Sequence, residues 1–287
     1  MDLFPIALST NGKKCNEKLF EQYASAGIRL MELSIPREIV GMTDYRKALG
    51  WSEQYGVKLW SFHLPFSPFS MIDPSSEIDI VREYTITYFR MLMEKAYAEC
   101  GVKLFVVHSS GERFPNRPAH LANAKNSLGR LTEIADKIGV TLAVEDLPRT
   151  CIGRNSEEIL ELLSADDRLR SCLDTNHLLS EDLPTYIRAV GSKIVTTHIS
   201  DYDFLNERHW LPGEGQIDWQ GVIGALKEVG YAGPWLYEIS FTAPDSIVRP
   251  RDLTAADFVE NARTLFAGSV PAPFGTPVAG LKSWTEI

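Results

Sequence analysis

Apolar positions along the chain fall into two alternating registers. Short runs rich in aliphatic and β-branched residues recur at 3–8, 28–35, 57–63, 102–108, 139–146, 169–174, 193–199 and 234–239, and each reads as a buried strand. Between them, apolar residues return every three or four positions. That spacing predicts helices over about 15–26, 45–55, 76–100, 119–138, 156–163, 182–190, 219–229 and 254–266. In the long helix, Ile78, Val81, Tyr84, Tyr88, Met91 and Ala96 approximate one face. Ser156 is placed to cap the helix that starts there, and Asp218-Trp219 to start another. Strand and helix alternate eight times with no shift in composition. Alternation implies parallel strands joined by right-handed crossovers. Eight units in 287 residues imply one closed (β/α)8 TIM barrel, spanning 1–267, rather than an open sheet. The Pro/Gly-rich tail, 268–287, is expected to pack on the barrel or on a partner subunit.

The strands end on unusual residues. GVTLAVED (139–146) runs through Leu142, Ala143 and Val144 and then delivers Glu145. Three later strands close the same way, on Asp174, His198 and Glu238. Ionised carboxylates avoid buried strand ends unless they are paired or bound to metal. A closed parallel barrel opens the C-terminal end of every strand onto one rim, so residues far apart in sequence become neighbours there. The rim receives Glu32, His63, His108, Glu145, Asp174, His177, His198 and Glu238, and His209 follows in the loop after the seventh strand. Of the six histidines only His120 lies clearly elsewhere. Glu145, Asp174, His198 and Glu238 together read as a site for one divalent metal ion. Three carboxylates with one imidazole suit Mn²⁺, with Mg²⁺, Co²⁺ or Zn²⁺ as alternatives. For His63, His108 and Glu32, substrate contact competes with a structural hydrogen bond. Arg149 is placed to bind a substrate phosphate or carboxylate, or to form a salt bridge on the rim. In ERHWLPGEGQIDW (207–219) the GEG is not a dinucleotide fingerprint, since it follows a loop and lacks the third glycine. Its glycines instead allow a tight turn that aims His209 inward.

Charge narrows the function classes. A net charge of −9 and a pI of about 5.3 repel nucleic acid and anionic membrane alike. The four cysteines lack CxxC spacing and read as free thiols in a reducing compartment. The first residues carry no basic segment followed by a long apolar one, and no apolar run is long enough to span a membrane. A soluble, cytoplasmic protein acting on a small molecule is expected.

VVHSSGE (106–112), LAVEDLPRT (142–150), CLDTNHLL (172–179), THISDYD (197–203), ERHWLPGEGQIDW (207–219) and LYEIS (236–240) resemble the sugar phosphate isomerase/epimerase family of xylose isomerase-like TIM barrels. That group includes ketose 3-epimerases, hydroxypyruvate isomerase, inosose dehydratase and, more distantly, endonuclease IV. The resemblance covers about 1–267, and its D-x-x-H and P-G-E-G-x-I-D-W pieces are the most specific. It implies that Glu145, Asp174, His198 and Glu238 hold one divalent ion. It also implies that Glu145 and Glu238 double as an acid/base pair and that His177 contacts substrate.

The expected activity is isomerisation or epimerisation of a small sugar or sugar derivative, by proton transfer through a metal-stabilised cis-enediolate. His63, His108, His177, Glu207, His209, Arg149 and Glu32 would contact that substrate. Two departures leave alternatives open. Ketose 3-epimerases carry an Arg six residues after the metal His, where this chain has Phe204. Conversely His63, His108, Glu145, Asp174, His177, His198, Glu207, His209 and Glu238 match the nine ligand positions of the three-zinc endonuclease, with Glu207 replacing its Asp. A phosphodiesterase acting on abasic DNA is therefore the alternative, and an inosose dehydratase-like lyase a third. One divalent ion against Glu145, Asp174 and Glu238 leaves a charge of about −1, which suits a neutral sugar. Three zinc ions with Glu207 added leave about +2, which suits a phosphodiester. The acidic surface favours the sugar and argues against a nucleic-acid partner. Family habit points to a homodimer or homotetramer.

Overall fold

Main-chain hydrogen bonds join eight strands side by side in the computed structural model, which describes residues 3–112 and 115–286. They are β1 (Ile6–Ser9), β2 (Leu30–Ser34), β3 (Lys58–His63), β4 (Leu104–His108), β5 (Thr141–Glu145), β6 (Arg170–Asp174), β7 (Ile194–His198) and β8 (Trp235–Tyr237). All pair in parallel, in the order β7-β6-β5-β4-β3-β2-β1-β8. The ring closes where Ile199, just past β7, pairs with Tyr237. There the Ile199 N–H donates to Leu236 O at 2.7 Å. The (β/α)8 expectation holds. The strands begin and end within a few residues of their sequence-based positions.

The helices are α1 (Glu17–Ser25), α2 (Tyr45–Tyr55), α3 (Asp79–Cys100), α4 (Arg117–Ile138), α5 (Ser156–Leu163), α6 (Leu183–Val190), α7 (Trp219–Glu228) and α8 (Ala255–Phe266). Side chains of Asn16, Asp44, Asp182 and Asp218 accept from first-turn N–H groups and fix where four of them start. Gly139, at φ +88°, ends α4 and turns the chain directly into β5. Two local expectations are corrected. Asn155, not Ser156, caps α5, its side chain accepting from Glu158 N, while Ser156 Oγ turns to Glu181. The core face of α3 is Thr85, Phe89, Leu92, Met93, Ala96 and Cys100, whereas Ile78, Tyr84 and Met91 are exposed. Apolar residues line both faces of α3, so periodicity alone could not choose between them.

The barrel interior is layered. Period-two alternation turns Leu104 and Val106 of β4, Ala143 of β5 and Cys172 of β6 inward, where they form an apolar plug with Trp60 and Val195 against it. One step further along the same strands the inward residues are His108, Glu145 and Asp174. The alternate residues Phe105, Val107, Val144 and Leu173 face outward into the larger core beneath the helices. Polar side chains thus stand on an apolar floor that closes the bottom of the barrel.

The loop after β7 is organised around Asp201, which is fully buried. Its carboxylate accepts from Tyr202 N (2.9 Å), Gly213 N (2.8 Å), Ile217 N (3.2 Å) and Trp219 Nε1 (3.0 Å). The tail runs back over these rim loops. Its strand β10 (Thr276–Pro277) pairs antiparallel with β9 (Ile247–Val248), which the sequence did not reveal. Lys282 O accepts from Arg208 Nη2 at 2.9 Å, and Trp284 N–H donates to Leu205 O at 2.9 Å. No helix among the described residues is long and apolar enough to cross a membrane. Replacing Asp201 by Ala strands four donors, so Asp201→Ala is expected to destabilise the fold by about 3 kcal/mol or more in urea denaturation. An unchanged midpoint would contradict the hub assignment.

Candidate metal centre

The ladder register brings the strand-end residues together. His108 lies opposite Glu145 across β4–β5, and Asp174 opposite His198 across β6–β7. One potential ligand atom each from Glu145, Asp174, His198 and Glu238 lie within 4.8 Å of one another. His198 Nδ1 is 3.1 Å from Glu145 Oε1 and 3.3 Å from Glu238 Oε2. Asp174 Oδ1 accepts from Asn176 N at 2.7 Å, but Oδ2 is buried with no hydrogen-bond partner. A buried carboxylate oxygen without a donor is costly, and a cation among these groups would satisfy it. Three carboxylates and an imidazole suit a hard to borderline divalent ion. The residues present fit such an ion.

The other oxygen of Glu145 carries two imidazoles. His63 Nε2 lies 3.1 Å and His108 Nε2 3.2 Å from Oε2. His63 Nδ1 is fixed on Leu64 O at 2.8 Å. His177 Nδ1 lies 2.7 Å from Asp146 O, and its Nε2 3.0 Å from Glu207 Oε1. His209, at φ +51°, lines the same cavity with Nε2 4.0 Å from Glu207 Oε1. Asn176 Oδ1 holds its main-chain N–H at 3.3 Å. Of the two readings for Arg149, the salt bridge is the one seen. Its guanidinium is paired with both Glu112 and Glu207 and donates to Asn206 Oδ1 at 2.9 Å.

Glu32 departs from expectation. It is fully buried below the cavity, and its Oε2 meets His198 Nε2 at 3.1 Å and Ser61 Oγ at 2.8 Å. The residue is two positions short of the end of β2, where Ser34 reaches the cavity instead. A substrate contact for Glu32 is therefore not met. Three neighbours of the site escaped the sequence reading. Asp146 accepts from Asp174 N at 2.8 Å, and the Phe66 ring stacks on His108 at 4.3 Å. Phe69 forms part of the same wall. The VED triplet hinted at Asp146, whereas nothing marked the two phenylalanines beyond their loop.

Proton affinities in the cluster diverge. Burial pushes Glu238 up, opposed by His198 and assisted by Glu145, to about 7. Burial would also raise Glu145, but the His198 and His108 rings outweigh it and hold Glu145 well below the ordinary carboxylate range. Burial opposes charge on His198, yet Cys172, Glu238, Glu32 and Glu145 around it raise its pKa well above the usual imidazole value. His63 rises to about 9 against its own burial, through Glu145, Glu238 and Glu32, while burial takes His108 down to about 4. The cavity above these groups measures about 540 Å³, within the ~300–1,000 Å³ typical of small-molecule sites.

Residues 20–257 match the family described as the xylose isomerase-like TIM barrel. The chain belongs to that family. Among curated members, it is 29% identical over 178 residues to an uncharacterised protein of Methanocaldococcus jannaschii, covering 58% of this chain and 60% of that one. It is 30% identical over 164 residues to the ketose 3-epimerase of Arthrobacter globiformis, covering 53% and 54%. The match thus spans little more than half the length of either relative. Among solved structures, a D-tagatose 3-epimerase-like protein superposes with a TM-score of 0.77 over 93% of this chain and 97% of its own, at 21% identity. At that identity the likeness speaks to the fold.

A proton on the raised His198, and one on Glu238, must leave before either residue can bind a cation. Mn²⁺ affinity of the chelator-stripped protein is therefore expected to rise with pH through neutrality, with proton release. Titration calorimetry in buffers of differing protonation enthalpy checks this. A pH-independent affinity without proton release would contradict it.

Proposed function

We propose that this protein is a divalent-metal-dependent isomerase or epimerase of a small sugar or sugar derivative. One observation carries the reading. Two carboxylates, Glu145 and Glu238, stand 3.1 and 3.3 Å from His198 Nδ1 in a cluster able to hold one cation at the floor of a small-molecule cavity. Two carboxylates flanking one position are what a proton-removing and a proton-returning group require. The ketose 3-epimerase among the relatives points to the same substrate class.

Glu145 and Glu238 stand on β5 and just past β8, on either side of His198. A substrate C–H held between them faces a carboxylate on each side. One takes the proton and the other returns one, on the opposite face for epimerisation. A bound divalent ion, Mn²⁺ by preference, supplies positive charge where negative charge develops on the substrate oxygens. His63 and His108 brace Glu145 Oε2, so its basic oxygen is oriented before substrate arrives. His177 lines the cavity with both ring nitrogens engaged, and a substrate hydroxyl meets its Nε2 by sharing or displacing Glu207 Oε1, 3.0 Å away. Phe66, stacked over His108, forms one wall of the cavity.

The phosphodiesterase reading draws on two further groups that could each hold a cation, His63/His108/Glu145 and His177/Glu207/His209. Arg149 argues against it, because its guanidinium already occupies Glu207 and supplies the positive charge there. Deuterium wash-in from heavy water, followed by NMR across ketoses and aldoses, tests the proposal. Exchange with at least one sugar is expected. Glu145→Gln and Glu238→Gln should each lower its rate by about 10²–10⁴-fold. Retained exchange in either variant would remove that residue from the proton transfer. Nicking of abasic DNA without sugar exchange would favour the rival reading.

A further inference from the structure

We propose that Glu32 is the positioning residue for His198, fixing the ring so that Nδ1 is presented to the cation, an inference that rests on the metal reading above. His198 has two nitrogens, and the structure assigns them different work. Nδ1 faces the Glu145 and Glu238 oxygens, and Nε2 faces Glu32 Oε2 at 3.1 Å. A neutral imidazole that gives one nitrogen to a cation must carry its proton on the other. Glu32 is the acceptor that holds the proton there. Such outer carboxylates orient a ligating ring and raise its basicity.

The surrounding chain is built to keep Glu32 in place. The pairing of β2 with β3 shifts register between Met31 and Glu32, and past the shift Glu32 lies opposite Ser61. Ser61 Oγ then donates to the same oxygen, Oε2, that faces His198. Ladder irregularities of this type re-aim side chains beside active sites. Met31 and Leu33 on either side point outward into the helix-covered core, so Glu32 between them is turned into the barrel. Its second oxygen, Oε1, has no hydrogen-bond partner. A buried carboxylate with a vacant oxygen is a poor choice for stability alone, since a well-packed apolar side chain serves at least as well. Orientation of His198 accounts for it.

The test is Mn²⁺ titration of the chelator-stripped full chain, read by the electron paramagnetic resonance of free Mn²⁺, together with the visible spectrum of the Co²⁺-loaded protein. Glu32→Gln keeps the shape and removes the charge. It is expected to weaken Mn²⁺ binding by about 10–100-fold and to shift the Co²⁺ absorption bands. Ser61→Ala, which loosens Glu32 without touching His198, should change both in the same direction by less. Wild-type affinity and spectrum in Glu32→Gln would overturn the inference. If that variant does not fold, wild-type behaviour of Ser61→Ala overturns it instead. A wild-type protein that binds no divalent ion brings down the metal reading and this inference with it. Normal wild-type binding alongside unaltered variants brings down this inference only.

Discussion

Concentrated buried carboxylates at one end of the strands are the constraint around which this barrel is arranged. Glu145, Asp146 and Asp174 are fully buried at the mouth and Glu32 just below it, and Glu238 and Glu207 stand close by. Isolated charges in such surroundings carry penalties of several kcal/mol each unless countered. The local counter-charges are few. His63, His177 and His198 lie within the cluster, and Arg149 is taken up by Glu112 and Glu207. Burial keeps Asp146 well above its ordinary value, with Asp174 and Glu145 adding to that push against His177. A cation shared by Glu145, Asp174, His198 and Glu238, as proposed, would relieve the remainder and give Asp174 Oδ2 a partner.

The rest of the fold serves to hold these groups still. The apolar plug below denies them a route to bulk water from the barrel's far end. Register pairing across neighbouring strands sets His108 against Glu145 and Asp174 against His198 without help from loops. Loops add the upper storey. Asp201 gathers the main chain of 202–217 and the Trp219 indole, Asn176 fixes the N–H groups of Arg208 and His209, and the tail ties down Leu205 and Arg208. Sites borne on strand ends keep tighter geometry than sites borne on loops. The four proposed ligands come from the first kind of support, and Glu207 and His209 from the second.

Much of this was legible in the chain itself, because period-two burial makes an acidic residue at the end of an apolar run conspicuous. Glu145, Asp174 and His198 are each the last residue of their strand, and so are His63 and His108. Glu32 misled for a physical reason. Two residues short of the end of β2, at roughly 3.3 Å per residue, it lies a whole layer deeper than the rim. No run of letters reports that depth or the register shift beside it. The face of α3 was ambiguous because large side chains such as Tyr84 and Met91 stand on the exposed side as Phe89 and Leu92 do on the buried one, and only the partner helices decide between them. The α5 cap was missed because Asn155 and Ser156 are both good capping residues, one position apart. Phe66 and Phe69 needed the three-dimensional path of their loop.

The central claim is one ion shared by four side chains from four strand ends. An anomalous-difference map from a crystal soaked in Mn²⁺ and recorded near the manganese absorption edge examines this directly. One strong peak is expected, within bonding distance of Glu145, Asp174, His198 Nδ1 and Glu238. A map with no peak among them, or with His198 turned so that Nε2 faces the cluster, would contradict it.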